Sequence, residues 1–362
     1  MKTFSVKELG LKNKSTMAKE IIRQVNDYFS QNNISKKGNW KLYFKSAFFF
    51  FGFWFIWYLL VYTNLHILIK IFLCPLEAWF ASGIGFCIMH DGNHGAFSKY
   101  ELVNKSAGAT SECLGVSCGI WKTKHNIVHH DGVNVLGVDE DVEARPLLCL
   151  HEGQKRYWIH KYQHWYWPFA YSLLYIIWPL KDFFKYFSGK VMGTRLRFKI
   201  ADHILFWTGK IFFAFMIVVI PINEIGFEHW VIGFLLFAMP LGFLLSVVFQ
   251  PAHIVRGVKS SMIEEAHDGD STEHQLTHTA NFAPDNQFIT WWTGGLNYQI
   301  DHHVFRKVSH VHYPVIHKII KSVCENYDFS IIVFPTARAA LASHIGKLKD
   351  LSEKPKEIVV QL

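Results

Sequence analysis

Three short stretches gather the residues best able to do chemistry. They are His90-Asp91-Gly92-Asn93-His94, His125-Asn126-Ile127-Val128-His129-His130 and Gln299-Ile300-Asp301-His302-His303. Histidine is the commonest side-chain metal ligand, and residues four apart on a helix share a face. His90/His94, His125/His129 and Gln299/His303 all have that spacing, so each stretch could aim two or three donor atoms at one point. A lone histidine is more often a surface or satisfied core residue, and one HxxxH pair arises easily by chance. Two further HH pairs, each preceded three or four positions earlier by His or Gln, make surface decoration a poor explanation.

One ion takes four to six ligands. His90, His94, His125, His129, His130, His302, His303 and Gln299 are too many for one ion and about right for two. All are neutral nitrogen donors apart from the Gln amide. The absence of thiolate ligands disfavours copper(I) storage and iron–sulfur clusters, and the residues alone leave iron and zinc open. His90 and His94 have the spacing of the HExxH zinc-protease helix. Asp91 stands where that motif has Glu, however, and a protease would leave both HH pairs idle. Ser82-Gly83-Ile84-Gly85 lacks the third glycine of a dinucleotide loop and lies in an apolar run, so it reads as packing. With no flavin, haem or nucleotide motif, any electrons must come from a partner.

The elements that position these stretches are read from composition. Half of the 362 residues are hydrophobic and 16% aromatic, while 18% are charged, below the roughly 25% of soluble domains. Membrane spans account for such a balance. The net charge of +8 comes without a nucleic-acid motif, so no nucleic-acid partner is expected. Lys and Arg at membrane edges explain it better. Six cysteines form no CxxC pair and imply neither a zinc ribbon nor a disulfide framework.

Residues 1–45 hold ten Lys/Arg against three acids. Within them Met17, Ile21, Ile22, Val25, Tyr28 and Phe29 fall at helical spacing, which predicts an amphipathic helix lying near the membrane. No short apolar region with a cleavage site opens the chain, so no signal peptide is expected. Four spans of ~20 residues are predicted at about 47–64, 71–89, 204–222 and 230–249, with Glu77 and Lys210 as blemishes. Residues 107–121 read as a re-entrant or buried helix, and Pro168–Leu180, flanked by Trp165 and Trp167, as an interfacial one. A membrane domain at 46–330 and a C-terminal tail at 331–362 complete the division.

The N-terminal arm, 91–202 and 251–362 are rich in Lys/Arg, whereas the two hairpin links are not. The positive-inside rule places all three basic regions in the cytoplasm. Every histidine stretch then lies on that one side, at or beyond span ends, which argues against a metal path through the membrane. An all-α membrane protein with four transmembrane helices follows, with its histidine stretches together on the cytosolic side.

At these stretches the chain resembles the membrane fatty acid desaturases, which carry three histidine boxes in this order. HDGNH is similar to the first box, Trp121-Lys-Thr-Lys-HNIVHH to the second and Asn297-Tyr298-QIDHH to the third. The match runs from about Asn33 to Cys324. The resemblance implies a mushroom-shaped fold whose cap holds a di-iron site, with His253 in Gln250-Pro-Ala-His as a further ligand beside His90, His94, His125, His129, His130, His302 and His303. Gln299, in place of the third box's first His, is the mark of front-end desaturases, which act between an existing double bond and the carboxyl end.

The implied activity is an O2-dependent acyl-lipid or acyl-CoA desaturase of the linoleoyl type. It would introduce a cis double bond with two iron ions, O2 and two electrons from ferredoxin or from cytochrome b5 with its reductase. The acyl group would be carried by a phospholipid, coenzyme A or a carrier protein. A membrane di-iron hydroxylase is the alternative, separated by its product.

Val304-Phe305-Arg306 departs from the family's Leu-Phe-Pro, and no cytochrome b5 haem loop is present. The missing haem loop resembles the bacterial branch and implies a bacterial inner membrane. Asp91, Asn126, Asp139, Asp141 and Asp301 are candidates to orient the imidazoles. Trp291 and Trp292 are candidates to line the acyl channel. His274 and His278, and likewise His310, His312 and His317, read as structural.

Overall fold

The computed structural model describes residues 6–353. Its elements are helices with two small two-stranded sheets among the described residues. Four helices are long and apolar enough to cross a membrane: α2 Trp40–Tyr62, α3 Ile67–Asn93, α8 Ile200–Ile225 and α9 Phe227–His253. α1 Thr16–Gln31 precedes them. Between α3 and α8 come α4 Glu101–Ala109, α5 Cys118–Thr123, α6 Gln163–Ser172 and α7 Leu174–Ser188. After α9 come α10 Ser271–His278, α11 Gln287–Trp292, α12 Gln299–Val304, α13 Tyr313–Asn326 and α14 Ala337–Ser352.

The spans pair as two hairpins with short links, and α3 is the central helix, packed on both α2 and α9. Their shared core holds Phe49, Phe53, Ala81, Phe86, Leu241 and Leu245. Outward-facing Phe44, Phe51, Phe55, Phe72 and Phe215 are exposed, as lipid-facing side chains should be. Asn39 starts α2 by accepting from the amides of Lys41 and Leu42. Each of the four helices extends beyond its expected span at the N-terminal side, because polar residues join a helix readily once its apolar middle is set.

Two charges inside the spans have partners that span-level reading could not see. Lys210 Nζ meets Asp182 Oδ2 at 3.2 Å and the Gly115 carbonyl at 2.6 Å. Lys45, just inside α2, donates to the Trp291 carbonyl at 3.0 Å and sits 2.8 Å from His310 Nε2. Glu77 has no such partner among the described residues.

The interfacial reading of residues 168–180 corresponds to α6 and α7, which leave Trp165, Phe169, Phe184 and Phe187 exposed. Residues 107–121 form the end of α4, a 3-10 turn at Thr110–Leu114 and the start of α5, broken at Gly115, whose φ of 72° needs glycine. The amphipathic α1 exists, and its apolar face is covered by protein. Its Met17, Ile21, Val25 and Phe29 are buried against Ile316, Ile320 and Val323 of α13. An apolar stripe demands cover, and a second helix provides it here. Residues 331–353 are likewise built into the cap. Ile332–Phe334 pairs in parallel with Ala280–Phe282, and α14 buries Ala340, His344 and Leu348 against α6 and α9.

Candidate metal centre

One of the three boxes sits on a π-turn and another directly follows one. Ile84–Met89 is a π-helical turn within α3 and delivers His90. Lys124–His129 is another, continuing α5. The second explains how His125, His129 and His130 act together. An α-helix would swing His130 about 140° away from His125. The wider i→i+5 closure brings residues four and five positions on to either side of the first, and such turns recur at functional sites. The His125 ring lies 5.3 Å from His129 and 4.7 Å from His130, centroid to centroid.

α12 carries the third box and is held by the strand before it. Asn281 Oδ1 accepts from the Ile300 amide at 2.9 Å, and its Nδ2 donates to Asp301 Oδ2 at 2.7 Å. His253 ends α9. Asn134, just past the second box, donates to the His253 carbonyl at 2.9 Å and to the His278 carbonyl at 3.0 Å.

All eight histidines named from sequence converge at this place. Nitrogens of His90, His94, His125 and His302 lie within 4.8 Å of one another, as do those of His129, His253 and His303. His130 stands between the groups, its ring 4.6 Å from His302 and 4.4 Å from His303. All eight are buried.

The donor atoms suit metal. His94 Nε2, His302 Nε2, His303 Nε2, His253 Nδ1 and both nitrogens of His130 are buried with no hydrogen-bond partner. Such orphaned polar atoms are costly and demand an explanation. His90 Nε2 and His125 Nε2 are 3.1 Å apart, about the separation of two adjacent donors on one ion. Burial first, and neighbouring imidazoles second, push the pKa values of His94, His125, His130, His302 and His303 well below the ordinary 6.5. Neutral imidazole is the form that binds metal.

Three ligand candidates are oriented from behind. His129 Nδ1 lies 3.1 Å from Asp139 Oδ2 and 3.4 Å from Asp141 Oδ2. Burial opposes charge on His129, yet these carboxylates outweigh it and raise its pKa. Because they meet Nδ1, the two acids act as supports and leave Nε2 for metal. His302 Nδ1 is 3.0 Å from the Tyr313 hydroxyl, and His303 Nδ1 is 2.8 Å from Gln275 Oε1. Gln275 Nε2 also donates to the His130 carbonyl at 2.8 Å, tying the second box to the third. Tyr313 and Gln275 were missed from sequence. Neither lies in a box, and only the fold brings them near.

Several expectations change here. Asp91 Oδ1 is 4.0 Å from His90 Nδ1, and Asp91 instead accepts from Ser309 Oγ at 2.7 Å and lies 3.0 Å from His310 Nδ1. Asp301 meets His317, at 3.5 Å, and no candidate ligand. Asn126 Nδ2 donates to the Asn93 carbonyl at 2.9 Å, joining the second box to the first. Arg306 donates to the Asn126 carbonyl and to Asp131, both at 2.8 Å, so the departure at that position is a clamp between boxes. His274 and His278 stack at 3.8 Å, and each bonds elsewhere: His274 Nε2 to the Val133 carbonyl and His278 Nε2 to Ser261. Gln299 is buried at the start of α12, one turn before His303.

A narrow crevice runs from His90 between α3, α7 and α9, walled by Ala81, Gly85, Met89, Tyr175, Leu241 and Leu245. Trp121 also lines it and stacks on His125 at 4.3 Å. Trp291 and Trp292 do not line it. Trp291 packs on Phe49 and Trp79, and Trp292 donates to Ser82.

A model of the family described as "fatty acid desaturase" matches residues 66–335. The chain is 33% identical over 351 residues to the sn-1 linoleoyl-lipid 6-desaturase of Arthrospira platensis, covering 95% of this chain and 94% of that one. It is 31% identical to the acyl-lipid (8-3)-desaturase of Physcomitrium patens, over 90% and 70% of the two chains. It is 26% identical to the sn-1 linoleoyl-lipid 6-desaturase of Synechocystis, over 91% and 94%.

Proposed function

Since the chain belongs to the fatty acid desaturase family, we propose that it inserts a cis double bond on the carboxyl side of an existing one, in an acyl chain esterified to a membrane lipid. The observation that carries this is the convergence of eight buried imidazoles, their donor atoms unpartnered, at the head of an apolar crevice in the membrane. The front-end assignment is supported by Gln299 and by relatives that bear the names of 6-desaturases and (8-3)-desaturases.

His90, His94, His125 and His302 would hold one iron ion and His129, His253 and His303 the other, with His130 able to serve either. With O2, two protons and two electrons from an external donor, ferredoxin or cytochrome b5 with its reductase, the iron pair would supply the oxidising power to remove two hydrogens from adjacent unactivated CH2 groups. The acyl chain would become an alkene and O2 would become two waters. The protein's own part is alignment. The crevice beside His90, about 30 Å³ in this structure, would have to widen to take the chain, with Leu241 and Leu245 on α9 and Met89 on α3 then excluding water and Gly85 leaving room between the helices. A Cβ on Gly85 would meet only Leu245 Cδ2, at 3.7 Å. Asp139 and Gln275 accept from Nδ1–H of His129 and His303 so that the opposite nitrogen faces the site, and the Tyr313 hydroxyl holds the His302 ring in place. Gln299 shapes the site where the family's third box otherwise begins with His. The basic regions flanking the spans support an orientation with the cap in the cytoplasm, and the relatives from Arthrospira platensis and Synechocystis support a bacterial inner-membrane setting.

The test is the fatty acid profile of a host that expresses the chain and is fed linoleate, beside a His302→Ala control. A new double bond nearer the carboxyl end, lost in the control, is expected. A hydroxylated acid would overturn the assignment in favour of a hydroxylase.

A further inference from the structure

A second cavity, of about 670 Å³, opens at the other end of the bundle. Its rim is formed by the hairpin links, with Asn64 and Leu65 on one side and Ile225 and His229 on the other. Its walls are apolar and aromatic, including Trp57, Val61, Ile71 and Phe234. Trp57 and Trp230 are fixed, because their indole N–H groups donate to the carbonyls of Met216 and Ile217 in the π-turn of α8, Ala214–Val219. These two walls of the pocket are therefore tied to α8.

At its inner end stands Glu77, 5% exposed. It lies ten residues into α3, about 15 Å from the helix start. Its carboxyl has no hydrogen-bond or ion-pair partner among the described residues. Lys70, which also lines the cavity, is about 10 Å away along the helix and donates to the Leu60 carbonyl at 2.9 Å. A carboxyl group within a membrane span and without a partner is costly, and such residues mark sites. It lines this cavity.

The cavity is separate from the reaction. It continues the α3–α9 seam that holds the crevice at His90, but Phe237 on α9 closes against Tyr175 on α7 between the two, with ring centroids 5.6 Å apart. Glu77 is thirteen residues, or about 20 Å, from His90 along α3.

We propose that this cavity binds an amphiphile from the leaflet opposite the cap and that Glu77 receives its hydroxyl group. The apolar walls take the hydrocarbon, and a hydroxyl can both donate to and accept from a carboxyl group. An ammonium would fit less well, since it must be stripped of water to reach mid-membrane.

The experiment places the full-length protein in nanodiscs and titrates a brominated long-chain alcohol, reading quenching of Trp57 and Trp230. The matching brominated alkane and primary amine serve as comparators. The alcohol is expected to bind saturably, with roughly tenfold weaker binding in Glu77→Leu, the size of one buried hydrogen bond. Gly233→Leu fills the cavity from α9 without touching Glu77; a Cβ there meets open space. It is expected to abolish saturation while the thermal melting temperature is kept. Equal quenching by alkane and alcohol, or alcohol binding that survives both substitutions, would overturn the proposal, as would binding of the amine alone. None of these readouts uses turnover, so a failure here leaves the desaturase assignment standing and the reverse also holds.

Discussion

Replacing Gln275 by Leu should weaken the metal centre without removing any of its donors. Gln275 is buried, accepts from His303 Nδ1 at 2.8 Å and donates to the His130 carbonyl at 2.8 Å. Leu has similar bulk but neither polar atom. His303 Nδ1–H and the His130 carbonyl would both lose a partner inside the protein. Each unsatisfied buried group costs about 1–3 kcal/mol. Loss of a hydrogen bond behind a ligating imidazole typically lowers metal affinity ~10–100-fold. The tautomer matters as much as the energy. With Nδ1–H no longer fixed, the His303 proton can move to Nε2, the atom that otherwise faces the site without a partner. The assay is iron retained per chain during titration with a chelator, run beside a thermal melt. Gln275→Leu should release iron at ~10-fold lower chelator or less, and Gln275→Glu, which keeps an acceptor for His303, should recover most of the difference. Wild-type retention in Gln275→Leu would refute the idea that Gln275 supports the centre.

Other consequences can be tested alongside it. Gly85→Leu should block the crevice and cut double-bond formation more than tenfold while iron content is unchanged, because the glycine faces Leu245 and no ligand; metal analysis and product analysis on one preparation decide it. His253→Ala removes one of three donors from its group and should lower bound iron from two towards one per chain, read by elemental analysis. Burial pushes the His344 pKa down to about 4 from 6.5. The unfolded chain therefore takes up the proton first, and stability present above pH 6.5 should fall by roughly 3 kcal/mol as pH drops towards 4. His344→Asn should remove that share of the loss and leave the share due to His274 and His278, whose pKa values burial lowers to about 4 and about 3.

The boxes were legible because residue type and spacing both carry the chemistry, and the spans because ~20 uncharged residues have few other uses. The support of the site was not. Gln275 reaches His303 across 28 positions, and nothing in its neighbours announces the contact. The π-turns left no compositional trace, although the HxxxHH spacing of His125, His129 and His130 suits one better than an α-helix. Asp91 is one of several acids able to orient an imidazole by type, yet only the fold shows that it lies 4.0 Å from His90 Nδ1 while holding Ser309 and facing His310. The stripe on α1 showed that a face needed cover, but α13 as its cover depends on the tertiary fold. Lys210 looked like a flaw in a span until Asp182 was placed beside it.

The central claim is that eight histidines hold two irons in one site. Protein purified without oxygen and loaded with ferrous iron should carry two irons per chain by elemental analysis, and His130→Ala should lower that number while leaving the fold intact. One iron per chain in the wild type, or two in a variant lacking both His130 and His302, would contradict the account.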